Sequence, residues 1–291
     1  MKIQINAKIM LIISMVIFGT LGIFTRNIAI SSGELALYRA ILAAVLIFVY
    51  LIVTKQKTDF RSIKKELLLL LLSGTAMGIN WILLFEAYKY TTISAATLSY
   101  YFAPVIVIVA CPILFKEKLS GRQMICFLMS ALGLVLITGI GDLRNDNDFI
   151  GILFGLGAAL FYAAVILLNK FIKNVEEIYR TFLQFISAIV ILIPYVKMTS
   201  GVTLGNLNFT GWVNLLIVGF IHTGITYCMY FSSLKELPGQ KAAILSYIDP
   251  LVAVLISVAI LGETMTIWQA IGGVFILGFT LWNEISPETR S

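Results

Sequence analysis

Residues 95–104, AATLSYYFAP, recur in altered form as KAAILSYIDP at residues 241–250. The two stretches lie 146 positions apart, and the same offset continues on both sides of them. It aligns Gly78 with Gly224, Phe85 with Phe231, Lys89 with Lys235, Ala96 with Ala242, Tyr101 with Tyr247, Pro104 with Pro250, Glu117 with Glu263, and Gln123 with Gln269. Tyr38-Arg39 recurs more weakly as Tyr179-Arg180. The pattern predicts an internal duplication, with halves at residues 1–142 and 143–291.

The composition is that of a membrane protein. Apolar residues make up 59% of the 291 and charged residues 12%, and the mean hydropathy is +0.97. Soluble domains carry roughly 25% charged residues, whereas a helix that spans a bilayer needs about 20 apolar residues. Ten runs approach that length: 8–29, 34–54, 66–88, 93–115, 121–140, 149–171, 176–197, 210–233, 239–261 and 266–284.

The number of runs in each half determines how the halves are oriented. Because five is odd, the second half crosses the membrane in the opposite sense to the first. We therefore expect an all-α polytopic membrane protein whose ten transmembrane helices form two inverted five-helix repeats. Inverted repeats are an architecture of secondary transporters, in which two similar bundles tip about a central site.

Basic residues are distributed unequally between the loops. With the N-terminus in the cytoplasm, 16 of the 21 Lys and Arg residues fall on the cytoplasmic side and 5 on the other. The positive-inside rule then predicts that both termini are cytoplasmic. The net charge of +6 follows from this bias and does not indicate nucleic-acid binding. The compact form favours a bacterial plasma (inner) membrane.

Residues 85–123 and 230–269 share one pattern: a helix start rich in small residues, a proline in mid-helix, a glutamate, and a glutamine in the following helix. This pattern resembles the EamA family of the drug/metabolite transporter superfamily. Phe18-Gly19, Phe161-Tyr162-Ala163, Arg39 and Arg180 also match positions of that family, whereas Lys116 stands where it usually has glycine. The resemblance implies ten helices in two inverted halves around a cavity lined mainly by helices 1, 3, 4, 6, 8 and 9.

Two prolines interrupt predicted helices at equivalent depths. Pro104 and Pro250 have no N–H, so the carbonyl groups of Tyr100 and Ser246 lose their helical partners. In lipid such carbonyls need another donor or a wet cavity. Paired interruptions of this kind indicate a binding site at the midplane. The alternative is a pair of kinks that only improve packing.

Asp249 lies beside the second interruption. Its equivalent in the first half is Ala103, so the fold does not require a carboxyl group there. A charge at this depth costs about 2.5–3.5 kcal/mol on insertion scales. Because protonation removes that cost, the residue is suited to proton coupling. The alternative is an interhelical hydrogen bond to Tyr or Ser.

Other polar and aromatic residues are expected to surround the same cavity. His222, Thr226, Tyr230 and Ser233 form a helical stripe, and His222 is the candidate to share a proton with Asp249. The aromatic rings with hydroxyl groups suit an organic solute, although they are also common packing residues. The predicted substrate-binding residues are Asn80, Trp81, Tyr100, Tyr101, Tyr162, His222, Thr226, Tyr227, Tyr230, Ser246, Tyr247 and Asp249.

Charge limits the choice of solute. Glu34 and Arg39 are expected near the outer end of the second helix, paired with each other or with lipid head groups. No Lys or Arg is then expected at mid-depth, which disfavours sugar phosphates and other polyanions. The sequence predicts a secondary active transporter, with export as the expected direction, of a small neutral, zwitterionic or cationic metabolite such as an amino acid or amine.

Alternatives on the same fold are a lipid or lipid-carrier flippase and a facilitative uniporter or exchanger. An enzyme is not expected, because the chain has one histidine and neither an HExxH nor a GxSxG motif. It also has no Walker motif for ATP. Cys111, Cys126 and Cys228 fall inside apolar runs and are expected to pack there, so we predict no metal and no cofactor. The expected partners are a small-molecule substrate and membrane lipid, and a monomer is compatible with this organisation.

Overall fold

The computed structural model describes residues 6–55, 60–115, 120–138, 146–236, 245–246 and 248–285. Every regular element in these ranges is helical. The first half contains α1 (Ala7–Gly19), α2 (Leu21–Arg26), α3 (Ser32–Thr54), α4 (Phe60–Tyr90), α5 (Ile93–Tyr100), α6 (Ala103–Phe115) and α7 (Gly121–Thr138). The second contains α8 (Asp146–Phe171), α9 (Glu177–Met198), a 3-10 turn (Leu204–Asn206), α10 (Phe209–Leu216), a π-helical segment (Ile217–Ile225), α11 (Thr226–Glu236), α12 (Ile248–Ala259) and α13 (Ile267–Ile285).

Many of these helices have the length and composition of membrane spans. Six helical segments among the described residues are long and apolar enough to cross a bilayer: Ala7–Arg26, Ser32–Thr54, Ile63–Tyr90, Asp148–Phe171, Ile178–Met198 and Phe209–Tyr230. Four apolar helices are shorter: Ile93–Val107, Gly121–Leu136, Ile248–Ala259 and Ile267–Asn283. The chain is therefore an all-helical integral membrane protein, as its composition predicts.

The fourth apolar run is divided at the predicted proline. Helix α5 ends at Tyr100, and α6 begins at Ala103, directly before Pro104. The hydroxyl of Thr92 caps α5 by accepting the N–H of Ala95 at 3.1 Å. Between the two helices, the N–H of Phe102 turns to the Ser99 carbonyl at 3.1 Å. Pro250 is the third residue of α12, and Tyr247, just before that helix, lies outside the described residues.

The eighth run contains a π-helical segment, Ile217–Ile225, between α10 and α11. Side chains follow its wider turn and bond to carbonyl groups five residues earlier. The hydroxyl of Thr223 donates to the Val218 carbonyl at 2.8 Å, and that of Thr226 donates to the Ile221 carbonyl at 2.7 Å. The segment changes the phase of the helix, so the faces of α10 and α11 do not follow one 3.6-residue period.

Glu34 belongs to the start of α3 and does not pair with Arg39. Ser31 and Glu34 form a reciprocal capping box. The Glu34 carboxylate also accepts the backbone N–H of Thr203 at 2.6 Å and its hydroxyl at 2.5 Å. Arg39 lies seven residues beyond Ser32, or about 10 Å further along the helix axis. The expected Glu34–Arg39 pair is therefore wrong.

Small residues bring the helices close together, and Gly19 at the end of α1 gives the clearest example. A Cβ atom at this position would lie 2.7 Å from the backbone carbonyl oxygen of Asp249 and 2.7 Å from the Cβ of Val252. Helix α1 therefore contacts α12 backbone to backbone at the residue that carries the buried carboxyl group. Close approach through small residues is the usual way in which membrane helices associate.

We predict that Gly19→Ala lowers the stability of the protein by about 1–3 kcal/mol, because the added methyl group forces α1 away from α12. Thermal unfolding in detergent measures the effect. The matched control is Gly278→Ala within α13, where an added Cβ meets no atom within 4 Å. This control should be neutral or stabilising by about 0.5–1 kcal/mol, since alanine favours a helix over glycine. Equal losses in the two variants would contradict the close contact.

Candidate functional site

A cavity of about 400 Å³ lies between the two halves of the chain. Its walls come from α1, α2, α4, α5, α6, α8, α11 and α12, with one residue from α3. These helices lie in the apolar runs 1, 3, 4, 6, 8 and 9, which are the ones that the family resemblance implied, and α3 is the addition. A cavity of this size accommodates a small organic molecule.

The structure brings most of the predicted site residues to this cavity. The lining includes Asn80, Trp81, Tyr100, Tyr101, Pro104, Tyr162, Tyr227, Tyr230, Ser246 and Asp249. His222, Thr226 and Pro250 do not line it. Tyr247 lies outside the described residues.

The carboxyl group of Asp249 reaches the cavity from the first turn of α12 and accepts a hydrogen bond from the Tyr101 hydroxyl at 2.5 Å. Tyr101 follows α5, so this bond joins the two helices that carry Pro104 and Pro250. It is the interhelical bond considered as an alternative role for Asp249. The cavity position and the bond coexist, because one carboxyl group has several acceptor sites.

Aromatic rings form much of the remaining wall. The rings of Tyr100 and Tyr162 stack at 5.2 Å between centroids, and Tyr100 meets Tyr101 edge to face at 5.6 Å. Phe18 contacts Tyr227 and Tyr230 at 5.1 Å and 6.1 Å. These contacts hold the rings in fixed orientations, so the wall is both apolar and supplied with hydroxyl groups.

Two predicted wall residues also hold helices together. Trp81 is only 3% exposed and packs against Phe185, with 5.6 Å between ring centroids. The side-chain amide of Asn80 donates to the Ala158 carbonyl of α8 at 2.6 Å. Substitutions at these two positions therefore affect the packing as well as the cavity.

Arg39 contradicts the expectation that no basic residue lies at mid-depth. It lines the cavity and is 2% exposed. Its Nε donates to the Thr223 hydroxyl at 2.9 Å, and its guanidinium carbon lies 4.5 Å from the centroid of the Trp81 ring. Sequence reasoning placed Arg39 at the membrane surface because it is close to the start of α3. In the structure, Arg39 lies over the rings of Trp81 and Phe85 on α4. The sequence does not show that α4 packs beside Arg39, so only the fold identifies these neighbours.

His222 is held away from Asp249. Its Nε2 lies 2.8 Å from the Thr20 hydroxyl, and its ring packs against Phe24 at 4.9 Å. Thr226 is fully buried and bonds to its own helix. The predicted stripe therefore does not face the cavity as a whole, since Tyr230 lines it whereas His222 contacts Thr20 and Phe24. The direct sharing of a proton between His222 and Asp249 has no support in this geometry.

A polar network at the Arg26 end of the cavity was not predicted. Glu263 forms a salt bridge with Arg26 and accepts a hydrogen bond from the Ser257 hydroxyl. It also accepts the N–H of Ile93 at 2.9 Å, and Ser94 donates to Ser257 at 2.6 Å. We call these five residues the polar latch. It joins α2, α5 and α12 where they converge, and the available sequence signal was the Glu117–Glu263 match.

Comparisons with known proteins give a consistent result. The sequence pattern of the EamA-like transporter family matches the chain twice, over residues 6–139 and 149–283. The chain is 33% identical over 278 residues to YxxF, an uncharacterized transporter of Bacillus subtilis (strain 168), with coverage of 94% of this chain and 88% of that protein. It is 27% identical over 278 residues to an uncharacterized transporter of Archaeoglobus fulgidus, with 94% and 95% coverage.

Two further matches extend the comparison. The chain is 26% identical over 207 residues to YhbE, an uncharacterized inner membrane transporter of Escherichia coli (strain K12), with 68% of this chain and 64% of that protein covered. A protein known from a crystal structure superposes with a TM-score of 0.67 at 14% identity, covering 94% of this chain and 95% of that one. This likeness concerns the fold alone.

We predict that the cavity contains water. With the three native cysteines replaced by alanine, Tyr230→Cys should react with a small polar thiol reagent at least about ten times faster than Phe185→Cys, because a reactive thiolate forms only where water reaches it. Phe185 is the matched control, since it is a fully buried aromatic residue behind Trp81. Similar labelling rates measured by mass spectrometry would contradict a water-filled cavity.

Proposed function

This chain belongs to the EamA-like transporter family, and we propose that it is a secondary active transporter that moves a small organic solute through the described cavity by alternating access. It is a membrane transporter and not an enzyme. The observation that carries the proposal is the cavity between the halves, lined by tyrosine rings and one buried carboxyl group. A compact aromatic wall of this kind suits a solute better than a lipid chain.

We propose two inverted five-helix repeats, at residues 1–142 and 143–291, as the moving parts. The contacts between helices support this, because they are preserved when the two halves are exchanged. Helix α4 packs against α8 as α11 packs against α1, and α9 packs against α4 as the π-helical segment packs against α3. The pairs α3–α9, α5–α12 and α7–α13 each join equivalent helices of the two halves. The twofold match of the family pattern agrees.

In the proposed transporter, the polar latch stabilises one of the two states of alternating access, the one in which the end of the cavity near Arg26 is closed. It ties α2, α5 and α12 together, and we propose that this contact closes the cavity at the end where α2 finishes. Alternating access requires that these contacts break when the halves tip the other way. A single salt bridge with three hydrogen bonds is a suitable closure, because water and ions replace such contacts readily once a gap opens.

Asp249 is the proposed coupling residue. An ionised carboxylate inside a closed, water-poor cavity is costly, and either a proton or a cationic group on the solute removes that cost. Closure of the cavity is then linked to neutralisation of Asp249. The proposed substrate is a small neutral, zwitterionic or cationic metabolite, which the protein exports across the plasma membrane of a bacterium.

The lysine and arginine distribution supports cytoplasmic termini. The Escherichia coli relative is named as an inner membrane transporter. On this orientation, the polar latch faces the outside of the cell, and the substrate enters from the cytoplasm when the opposite end is open. A monomer contains the complete cavity and is the proposed transport unit.

We predict that Asp249→Asn keeps the fold and abolishes the coupling of solute movement to protons. The amide does not take up or release a proton near neutral pH. Its shape is close to that of the carboxyl group, and Gly19 contacts only the backbone carbonyl of residue 249, which the substitution retains. Proteoliposomes loaded with a pH-sensitive dye report proton movement when amino acids or amines are added individually. Glu86→Gln is the matched control, because Glu86 pairs with Lys89 at 3.1 Å and does not line the cavity. Proton movement that persists in Asp249→Asn would contradict the proposed role of Asp249 in proton coupling.

We predict that Arg26→Gln opens the latched end more often. A cysteine introduced at Thr97, which lines the cavity, should then react faster with a membrane-impermeant reagent applied from the side at which α2 ends. Loss of a salt bridge worth about 0.2–1 kcal/mol raises an opening equilibrium up to roughly fivefold. Lys89→Gln breaks the other described ion pair near that end and should leave the rate unchanged. An unaltered rate in Arg26→Gln would show that the latch does not control opening.

A further inference from the structure

Arg39 has the features of a binding residue within the cavity. Arg39 is only 2% exposed, so its charge lies in the interior of the protein, and it lines the cavity. The guanidinium group lies over two rings of α4, at 4.5 Å from the Trp81 centroid and 5.3 Å from that of Phe85. Such stacking fixes the plane of the guanidinium group and compensates part of its lost hydration.

A short chain of hydrogen bonds fixes the same side chain at its Nε. Arg39 Nε donates to the Thr223 hydroxyl at 2.9 Å, and that hydroxyl donates to the Val218 carbonyl at 2.8 Å within the π-helical segment. Among the described residues, Nε is the only atom of this guanidinium group with a hydrogen-bond acceptor. Both Nη groups therefore remain as donors, in the planar fork that binds a carboxylate through two parallel bonds.

The two charged side chains of the cavity form no ion pair with the described part of the protein. The salt bridges found there are Arg26–Glu263 and Lys89–Glu86, so no described carboxylate lies within 4 Å of an Arg39 nitrogen. Among the described lining residues, Asp249 is the only one with a carboxyl group, and it bonds to a tyrosine hydroxyl. The described lining thus holds one basic and one acidic side chain that do not pair with each other. Buried charges are normally paired, and these two are both open to a ligand.

We propose that Arg39 forms an anion-binding subsite of the cavity, which receives the carboxylate of a solute whose ammonium group is directed to Asp249. This inference rests on the proposed transport function and narrows its solutes to dipolar amino acids. One zwitterion neutralises both side chains in a single binding event. A purely cationic solute would leave Arg39 without a partner, and a phosphate dianion would place excess negative charge in a cavity that already holds Asp249.

Binding to the purified protein tests the subsite directly. The twenty common amino acids and three ω-amino acids (3-aminopropanoate, 4-aminobutanoate and 6-aminohexanoate) are screened by calorimetry, and the ω series reports the separation of the two charged partners. The tightest ligand is then compared with its amide and its N-acetyl derivative, each of which retains one charge. We expect each derivative to bind at least about tenfold more weakly, because it leaves a buried charge unpaired.

Variants of Arg39 identify the residue responsible. In Arg39→Gln, the amino acid should bind as weakly as its amide, and binding of the amide should not change. Arg39→Lys should keep part of the preference for the amino acid over its amide, because lysine retains the positive charge but lacks the two parallel Nη donors. Thr223→Val keeps the arginine but removes the hydroxyl that accepts the hydrogen bond from Nε. It should therefore weaken the binding of the amino acid and leave the binding of its amide unchanged. Arg122→Gln is the control, because this arginine lies 5.8 Å from Trp282 and outside the cavity.

The outcomes separate this inference from the transport function. If the acid and its amide bind wild-type protein equally, or if Arg39→Gln keeps the wild-type preference, the subsite is overturned. If no amino acid binds, the dipolar class is overturned as well. Should Arg39→Gln fail to fold, Thr223→Val and Arg39→Lys supply the same comparison. Proteoliposomes that transport an amine or amide while Arg39→Gln behaves as wild type would leave the transporter intact without the anion subsite.

Discussion

The absence of water from the hydrocarbon core is the constraint on which this structure depends. Each backbone N–H and carbonyl group must find its partner inside the protein, so every regular element that is described is helical. Polar side chains face the same requirement. They are therefore turned inward, where they bond to neighbouring helices, as Asn80 does to Ala158, or line the cavity, as Asp249 does.

Departures from the regular α-helix border the cavity. The break between α5 and α6 frees backbone groups beside Tyr101, the residue that bonds Asp249. The π-helical segment directs Thr223 to Arg39. In both places the local hydrogen bonding is rearranged and not lost, because a hydroxyl or a nearby N–H occupies the position that the regular helix would have used. Irregular backbone at this depth is tolerated where it borders a cavity.

The charged groups divide into two kinds according to their partners. Arg26 and Glu263 form a salt bridge with each other within the polar latch. Glu66 likewise accepts the backbone N–H groups of Lys173 and Asn174, at 3.2 Å and 3.0 Å, and fixes the loop between α8 and α9. Asp249 and Arg39 instead meet neutral groups. Arg26, Glu263 and Glu66 are thus paired by the protein, whereas the two charged side chains of the described cavity lining are the ones we propose to meet solute or proton.

The sequence alone determined the membrane location and the helical class, and it pointed to several of the residues that line the cavity. Its apolar runs are long enough to fix the class. The duplicated Pro104 and Pro250 indicated a level along the helices at which the cavity is found, since Pro104 and Asp249, the neighbour of Pro250, both line it. That is why Tyr101, Tyr162, Tyr227 and Asp249 were identified before the fold was known.

Only the tertiary structure decided which direction each side chain takes at that depth. His222 and Tyr230 belong to the same apolar run, but Tyr230 lines the cavity, whereas His222 lies against Thr20 and Phe24. Arg39 was assigned to the surface from its distance to the helix start, yet Trp81, Phe85 and Thr223 hold it inward. The polar latch joins residues that are far apart in the chain. The position of a residue along its own helix sets its depth in the membrane, and the sequence gives that position. The direction of its side chain and the residues that it contacts depend on how the other helices pack around it, so only the tertiary structure decides them.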